Sequence, residues 1–272
     1  MNPRFARVGP NIGIAAIFLA YALPLLMVVL ASFKSNADIV NRPADVFFTP
    51  SLDGYSSVFT PQFFQSVGNS AILAVSATAL TLLVATPLAY VLSRARAATG
   101  SVIIGVLIAL QMTPAASAVI PQFKVMATLG LLGTTFGVVL AMSAGALPYA
   151  VLILRPFYLS VPAEVEEAAY VDGAGQFRTF AQVVFPLVRN GVSLIGVLLF
   201  IGAWGEFLYP ITFFSDASLF PLSVTIAQQQ GVYGTHWNNL MALALVGAIP
   251  TIVIFTFVAR RLTSGLALGV GK

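Results

Sequence analysis

Six apolar stretches close to the length of a bilayer-crossing helix follow one another along the chain, at about 12–32, 67–93, 101–123, 135–158, 188–213 and 239–260. An α-helix rises 1.5 Å per residue, so about 20 apolar residues cross a hydrocarbon core of roughly 30 Å. Lipid offers no hydrogen bonds, and a helix satisfies its own backbone polar groups within the segment. The pattern predicts an all-α, polytopic membrane protein of six transmembrane helices, one transmembrane domain over residues 1–272. Composition supports this, since 58% of residues are hydrophobic and only 8% charged. A soluble surface needs about 25% charge to stay wetted, so this surface meets lipid.

The few charges set the orientation. With the N-terminus inside, cytoplasmic segments hold Arg4, Arg7, Arg94, Arg96, Arg155, Arg178, Arg189, Arg260, Arg261 and Lys272, against Lys34, Arg42 and Lys124 outside. Ten of the 13 Lys and Arg thus fall inside, as the positive-inside bias requires. Both termini are expected in the cytoplasm. The net charge of +4 follows from this bias and implies no nucleic acid. Arg4 and Arg7 before the first apolar run imitate a signal peptide. The run is longer than the usual 7–15 residues of such a region and no clear A-x-A site follows, so it reads as a retained first helix.

Composition also excludes chemistry. The absence of cysteine and the single histidine, His236, leave no disulfide and no thiolate or imidazole metal site. An integral membrane enzyme would need clustered catalytic groups. A self-sufficient secondary transporter would want inverted repeats and more intramembrane charge, and neither is visible. Prolines 24, 87, 114, 148, 210 and 250 lie inside apolar stretches. Kinked helices leave room for a cavity, so six of them favour a protein that encloses a pathway.

The segment from Ser160 to Gly191, SVPAEVEEAAYVDGAGQFRTFAQVVFPLVRNG, is cytoplasmic and the most informative in the chain. Pro162 suits a first helical turn, and Glu164, Glu166 and Glu167 favour its positive end. Ala168 and Ala169 add helix propensity without bulk. Asp172-Gly173 breaks the helix, and Phe177, Phe180, Val183 and Val184 recur at helical spacing. Pro186 marks the return to the membrane. Two short helices at a bend are expected, joined rigidly to spans four and five. Such a knob can pass motion from a soluble partner into the membrane.

The spacing Glu167-Ala168-Ala169, Gly173, Val183 and Phe185-Pro186 resembles the EAA signature of ATP-binding-cassette importer permeases, with Val183 and Phe185 in place of isoleucine and leucine. EAAYVDGAGQFRTFAQVVFPL, with Asp172, Ala174 and Phe180, is similar to the carbohydrate-uptake branch and its smaller maltose-type subunit. GAWGEFLYP from Gly202 and the tail's Arg260-Arg261 and Gly265-Leu266 resemble it too, although Gly205 stands where the branch has asparagine. The resemblance implies a sister permease, two ATPase subunits that bind ATP and magnesium, an extracytoplasmic binding protein and a sugar. It implies no cofactor in this chain and no hydrolysis by it. Glu166, Glu167, Ala168, Ala169, Asp172, Gly173, Ala174, Phe180 and Pro186 would form the ATPase-coupling loop, about 160–188. Glycerol phosphates or another small solute are the runner-up substrates.

Glu206 is the sole carboxylate in an apolar stretch. A mid-membrane charge costs at least about 2.5–3.5 kcal/mol and usually faces a cavity or a partner. Trp204, Glu206, Phe207 and Tyr209 suit a substrate pathway, with aromatic faces for sugar rings and a carboxylate for hydroxyls; pairing of Glu206 with the sister permease is the equal alternative. Tyr233, His236, Trp237 and the run Gln228–Gln230 lie in the last external segment, where binding-protein contact and an interfacial aromatic belt both fit. The tail GLALGVGK superficially resembles a phosphate-binding loop, but its glycine spacing is wrong and no Ser or Thr follows Lys272.

Overall fold

The computed structural model describes residues 8–266 apart from 232 and 233. Arg4, Arg7, Tyr233 and Lys272 lie outside the described residues, as do the side chains of Arg260 and Arg261. The chain forms two compact units, residues 1–64 with 225–249 and residues 65–224 with 250–272.

In the first unit, helix α1 (Val8–Ser32) carries Pro24 and is apolar all round. Ile14, Phe18, Tyr21, Leu25 and Met27 are all exposed, as suits a helix facing lipid or another subunit. Ser32 ends α1: its Oγ donates to the Val29 carbonyl and hydrogen-bonds the Tyr55 hydroxyl at 2.8 Å. Two short helices follow, α2 (Asn36–Asn41), capped by the Ser35 hydroxyl, and α3 (Asp53–Val58). Lys34 is buried, and its ammonium donates to the carbonyls of Arg42 and Pro43 at 3.2 and 3.1 Å, over the Phe48 ring. A two-residue ribbon, β1 (Gln230–Gly231) with β2 (Gly234–Thr235), precedes α13 (Trp237–Leu266), which belongs to this unit up to residue 249.

The second unit is built on α4 (Pro61–Arg94), α5 (Ala97–Gln111), α6 (Ala115–Thr128) and α7 (Thr135–Leu159). After α8 (Ala163–Val171) comes one long helix: α9 (Gln176–Arg178), a π-helical turn (Thr179–Val184) and α10 (Phe185–Trp204). Two short helices follow, α11 (Leu208–Phe213) and α12 (Leu222–Ala227). Between them Asp216 caps a single 3-10 turn, and the hydrogen bonds from Ser218 hold its carboxyl below the ordinary carboxylate range. Ala85 and Ala89 of α4, Ala150, Val151 and Leu154 of α7, and Val188 and Ile195 of α10 share one core. Small residues let these backbones approach closely, which drives packing where lipid removes the hydrophobic incentive.

The predicted spans needed two structural corrections. The expected helix at 101–123 is two helices, α5 and α6, bent by 99° across Met112–Pro114. Pro114 lacks an N–H and keeps Thr113 out of the helical region. The expected span 188–213 stops at Trp204, breaks at Gly205–Phe207 and resumes as α11. It also begins earlier, because the second loop helix is continuous with it from Gln176. Among the described residues four helices, α4, α7, α9–α10 and α13, are long and apolar enough to cross a membrane, and the bent pair makes up to five. Helix α1 adds a shorter apolar stretch, Ala16–Ser32.

Candidate functional site

Two places bring the candidate residues together. At the end of α7, Val161 is buried and Pro162 opens α8, whose first turn holds Glu164 and Glu166. Gly173 closes that helix with φ +82°, a left-handed conformation that glycine adopts without strain. Its N–H donates to the Tyr170 carbonyl at 3.0 Å, and the next N–H, of Ala174, reaches back to Ala169 at 2.9 Å. These two bonds form a Schellman cap. The outward surface carries Glu164, Glu167, Ala168, Tyr170 and Asp172, together with Val171 and Phe177, which are 88% and 81% exposed. A Val and a Phe so exposed, beside carboxylates, are a surface suited to a protein partner. Ala169, Ala174 and Phe180 are half-buried, and Pro186 is exposed.

Glu166 points the other way. It is 6% exposed, and its Oε1 accepts from Arg94 Nε at 2.8 Å and from Nη2 at 2.5 Å. Its Oε2 accepts from the Tyr90 hydroxyl at 2.9 Å. Arg94 Nη2 also donates to the Val161 carbonyl at 2.9 Å. The Tyr90 ring lies 5.0 Å from that of Phe180 and 5.8 Å from that of Tyr158. One end of α4 therefore holds α7, α8 and the π turn. The turn itself follows from Pro186: with no N–H, and a ring that crowds the carbonyl four residues back, proline favours the wider winding just before it. The Phe185 N–H accordingly donates to the carbonyl of Phe180, five residues earlier.

The second place is a cavity of about 660 Å³ among α4, α5, α6, α7, α10 and α11. Both helix breaks open onto it: Gln111–Pro114 on one side, Gly202, Ala203 and Glu206 on another. Irregular backbone at membrane depth is tolerated where it lines such a space. Glu206 Oε1 accepts from the N–H groups of Leu208 and Tyr209 at 2.8 and 3.3 Å, so the carboxylate meets the positive N-terminus of α11. Ser223 Oγ donates to its carbonyl. Tyr209 lines the cavity. Gln122 Oε1 and Thr78 Oγ1, both of lining residues, are buried without a partner among the described residues. Trp204 is buried and stacked on Phe200, and Phe207 is exposed; neither lines the cavity.

Residues 82–266 match the family described as binding-protein-dependent transport system inner membrane component. The chain belongs to this family of membrane permeases. It is 32% identical to the sulfoquinovosyl glycerol transport system permease protein of Agrobacterium fabrum, over 94% of this chain and 90% of that one. It is 31% identical to the diacetylchitobiose uptake system permease protein NgcG of Streptomyces coelicolor, over 91% and 83%. Among solved structures it resembles a chain of a bacterial importer of the acidic polysaccharide alginate, with a TM-score of 0.79 at 21% identity over 94% of this chain and 96% of that one.

Sequence reasoning did not single out Arg94, Tyr90, Gln122 or Thr78. Arg94 was read only as an inside charge, yet it lies 72 positions from its partner, and no local periodicity encodes such a pair. For Gln122 the one signal was an amide within an apolar stretch. The external candidates do not converge on a site: His236 is exposed, while the Trp237 N–H caps onto Asn36 Oδ1 at 2.9 Å. Among the described residues no group of three His, Asp or Glu is placed to hold a metal ion.

Proposed function

We propose that this permease forms, with a sister subunit, the membrane path of an ATP-driven importer for an uncharged sugar, and that the α8 knob docks into separate ATPase subunits. The exposed helix–bend–helix carries the reading, because α8 follows α7 after three residues and α9 runs unbroken into α10. Displacement of the knob therefore moves two spans. Helix α1 serves as the sixth span, which places both termini in the cytoplasm, and an extracytoplasmic binding protein delivers the solute. Glu167, Ala168, Ala169, Asp172 and Gly173 shape the docking surface, while this chain itself hydrolyses nothing.

The cavity favours a neutral sugar over a glycerol phosphate. Among the described residues its lining holds Glu206 and no lysine or arginine, so this chain offers a phosphate no cation there. Gln122, Thr78 and Tyr209 can exchange hydrogen bonds with hydroxyls, and the remaining lining is mostly apolar. The named relatives serve a sulfoquinovosyl glycerol and a diacetylchitobiose system, which supports the carbohydrate class. The test is reconstitution of the chain with its genomic neighbours in proteoliposomes. Uptake of labelled neutral oligosaccharide should require ATP inside and binding protein outside. Uptake by this chain alone, driven by an ion gradient, would overturn the reading.

A further inference from the structure

The coupling knob is fastened to the membrane domain at a third point, beyond its two covalent ends. We propose that Arg94 and Tyr90, at the inner end of α4, grip Glu166 as a strut that makes α4 move with the knob; this rests on the coupling role proposed for the loop. Arg94 is thus a positioning residue for transport, acting through α8 and not on the ATPase or the solute.

Burial and direction carry the argument. Glu164 and Glu167 face solvent, so the loop has carboxylates to spare for a partner, but Glu166 sits inside with both oxygens occupied. Its Oε1 receives two N–H donors of one guanidinium and its Oε2 a phenol. A pair held in this way resists sliding more than a single-point contact does. The same guanidinium also binds the Val161 carbonyl, so Arg94 holds α8 and the peptide link leading into it. Tyr90 continues the grip through Phe180 into the π turn. Glu166 is buried while 27% of the Arg94 side chain stays exposed, so removing Arg94 leaves the inner charge of Glu166 uncompensated, which makes the contact costly to open from that side.

The geometry adds a connection to the cavity. Helix α4 runs from this strut to Thr81, Thr78 and Ala77, which line the cavity. Motion of the knob reaches the cavity wall along α4 directly, as well as through α7 and α10.

The experiment uses the complete complex, reading three quantities: ATPase co-purification, hydrolysis with and without substrate-loaded binding protein, and uptake. Arg94→Ala and Glu166→Gln should retain the ATPase but lower the stimulation ratio about 5-fold or more, in the range of ordinary coupling energies. The exchange Arg94→Glu with Glu166→Arg should restore a large part of the ratio. Arg94→Lys should give an intermediate value, since it offers a point charge without the fork. A purely structural role would lower yield and leave the ratio of the surviving complexes at the wild-type value, and that result overturns the strut. Full stimulation in Arg94→Ala overturns it while leaving the docking role of α8 intact. A wild-type chain that never retains an ATPase defeats the docking role and the strut together.

Discussion

Gly191 of α10 lies so close to Phe157 of α7 that a Cβ on the glycine would sit 2.4 Å from the ring. The contact adds to the core that packs α7 on α10. Gly191→Ala should force the ring or a helix to shift, at about 1–3 kcal/mol. The solubilised chain should melt at a lower temperature, while Gly105→Ala, with nothing within 4 Å of its Cβ, melts like wild type. Equal melting of the two variants would contradict the packing.

Gly173 permits a finer test of the loop. No atom lies within 4 Å of a Cβ placed there, so substitution strains only the backbone. Asparagine tolerates the left-handed conformation and β-branched residues do not. Gly173→Asn should keep stimulated hydrolysis near wild type, and Gly173→Val should lose it by distorting the cap. Loss in both would mean that bulk, not conformation, is what the partner rejects.

Two substitutions at Glu206 separate support from recognition. Glutamine keeps an oxygen for the Leu208 and Tyr209 N–H groups, whereas alanine removes the cap of α11, worth about 0.5–2 kcal/mol. Glu206→Ala should lower the melting temperature and Glu206→Gln should not. If the carboxylate also accepts sugar hydroxyls, Glu206→Gln should depress uptake at unchanged yield, to different degrees for different sugars. Wild-type uptake in Glu206→Gln would leave the residue as a helix cap alone.

Reporter fusions read the orientation. An externally active reporter should be active after Asp53 and silent after Asp172. Activity at Asp172 would place the knob on the wrong side for an ATPase.

The membrane class, the knob and its glycine bend were legible because each is written locally: runs of apolar residues, acidic residues at a helix start, and Asp-Gly at its end. The two helix breaks were not. Met112–Pro114 and Gly205–Phe207 are flanked closely by apolar residues on both sides, so an averaging window reports a straight span where the backbone turns. Proline 114 was visible as a possible kink, but the same signal at Pro24, Pro87 and Pro148 leaves those helices continuous. Neighbouring helices decide which proline breaks a span. The direction of Glu166 was equally hidden, since three carboxylates within four positions look alike until Arg94 selects one.

The π turn at Thr179–Val184 absorbs one residue without turning the knob against the span. Successive residues of a regular helix are rotated by about 100°, and a π turn accommodates one residue more than regular winding would. Deleting a single residue there would leave every side chain chemically intact. It would return the segment to regular winding, leaving Phe177 at its present bearing about the axis of α10 and Glu166 within reach of Arg94. Chains with one residue fewer between Gly173 and Pro186 would therefore present the same face of the knob, whereas one residue removed from the regular winding of α10 would turn the knob by about 100° against the span.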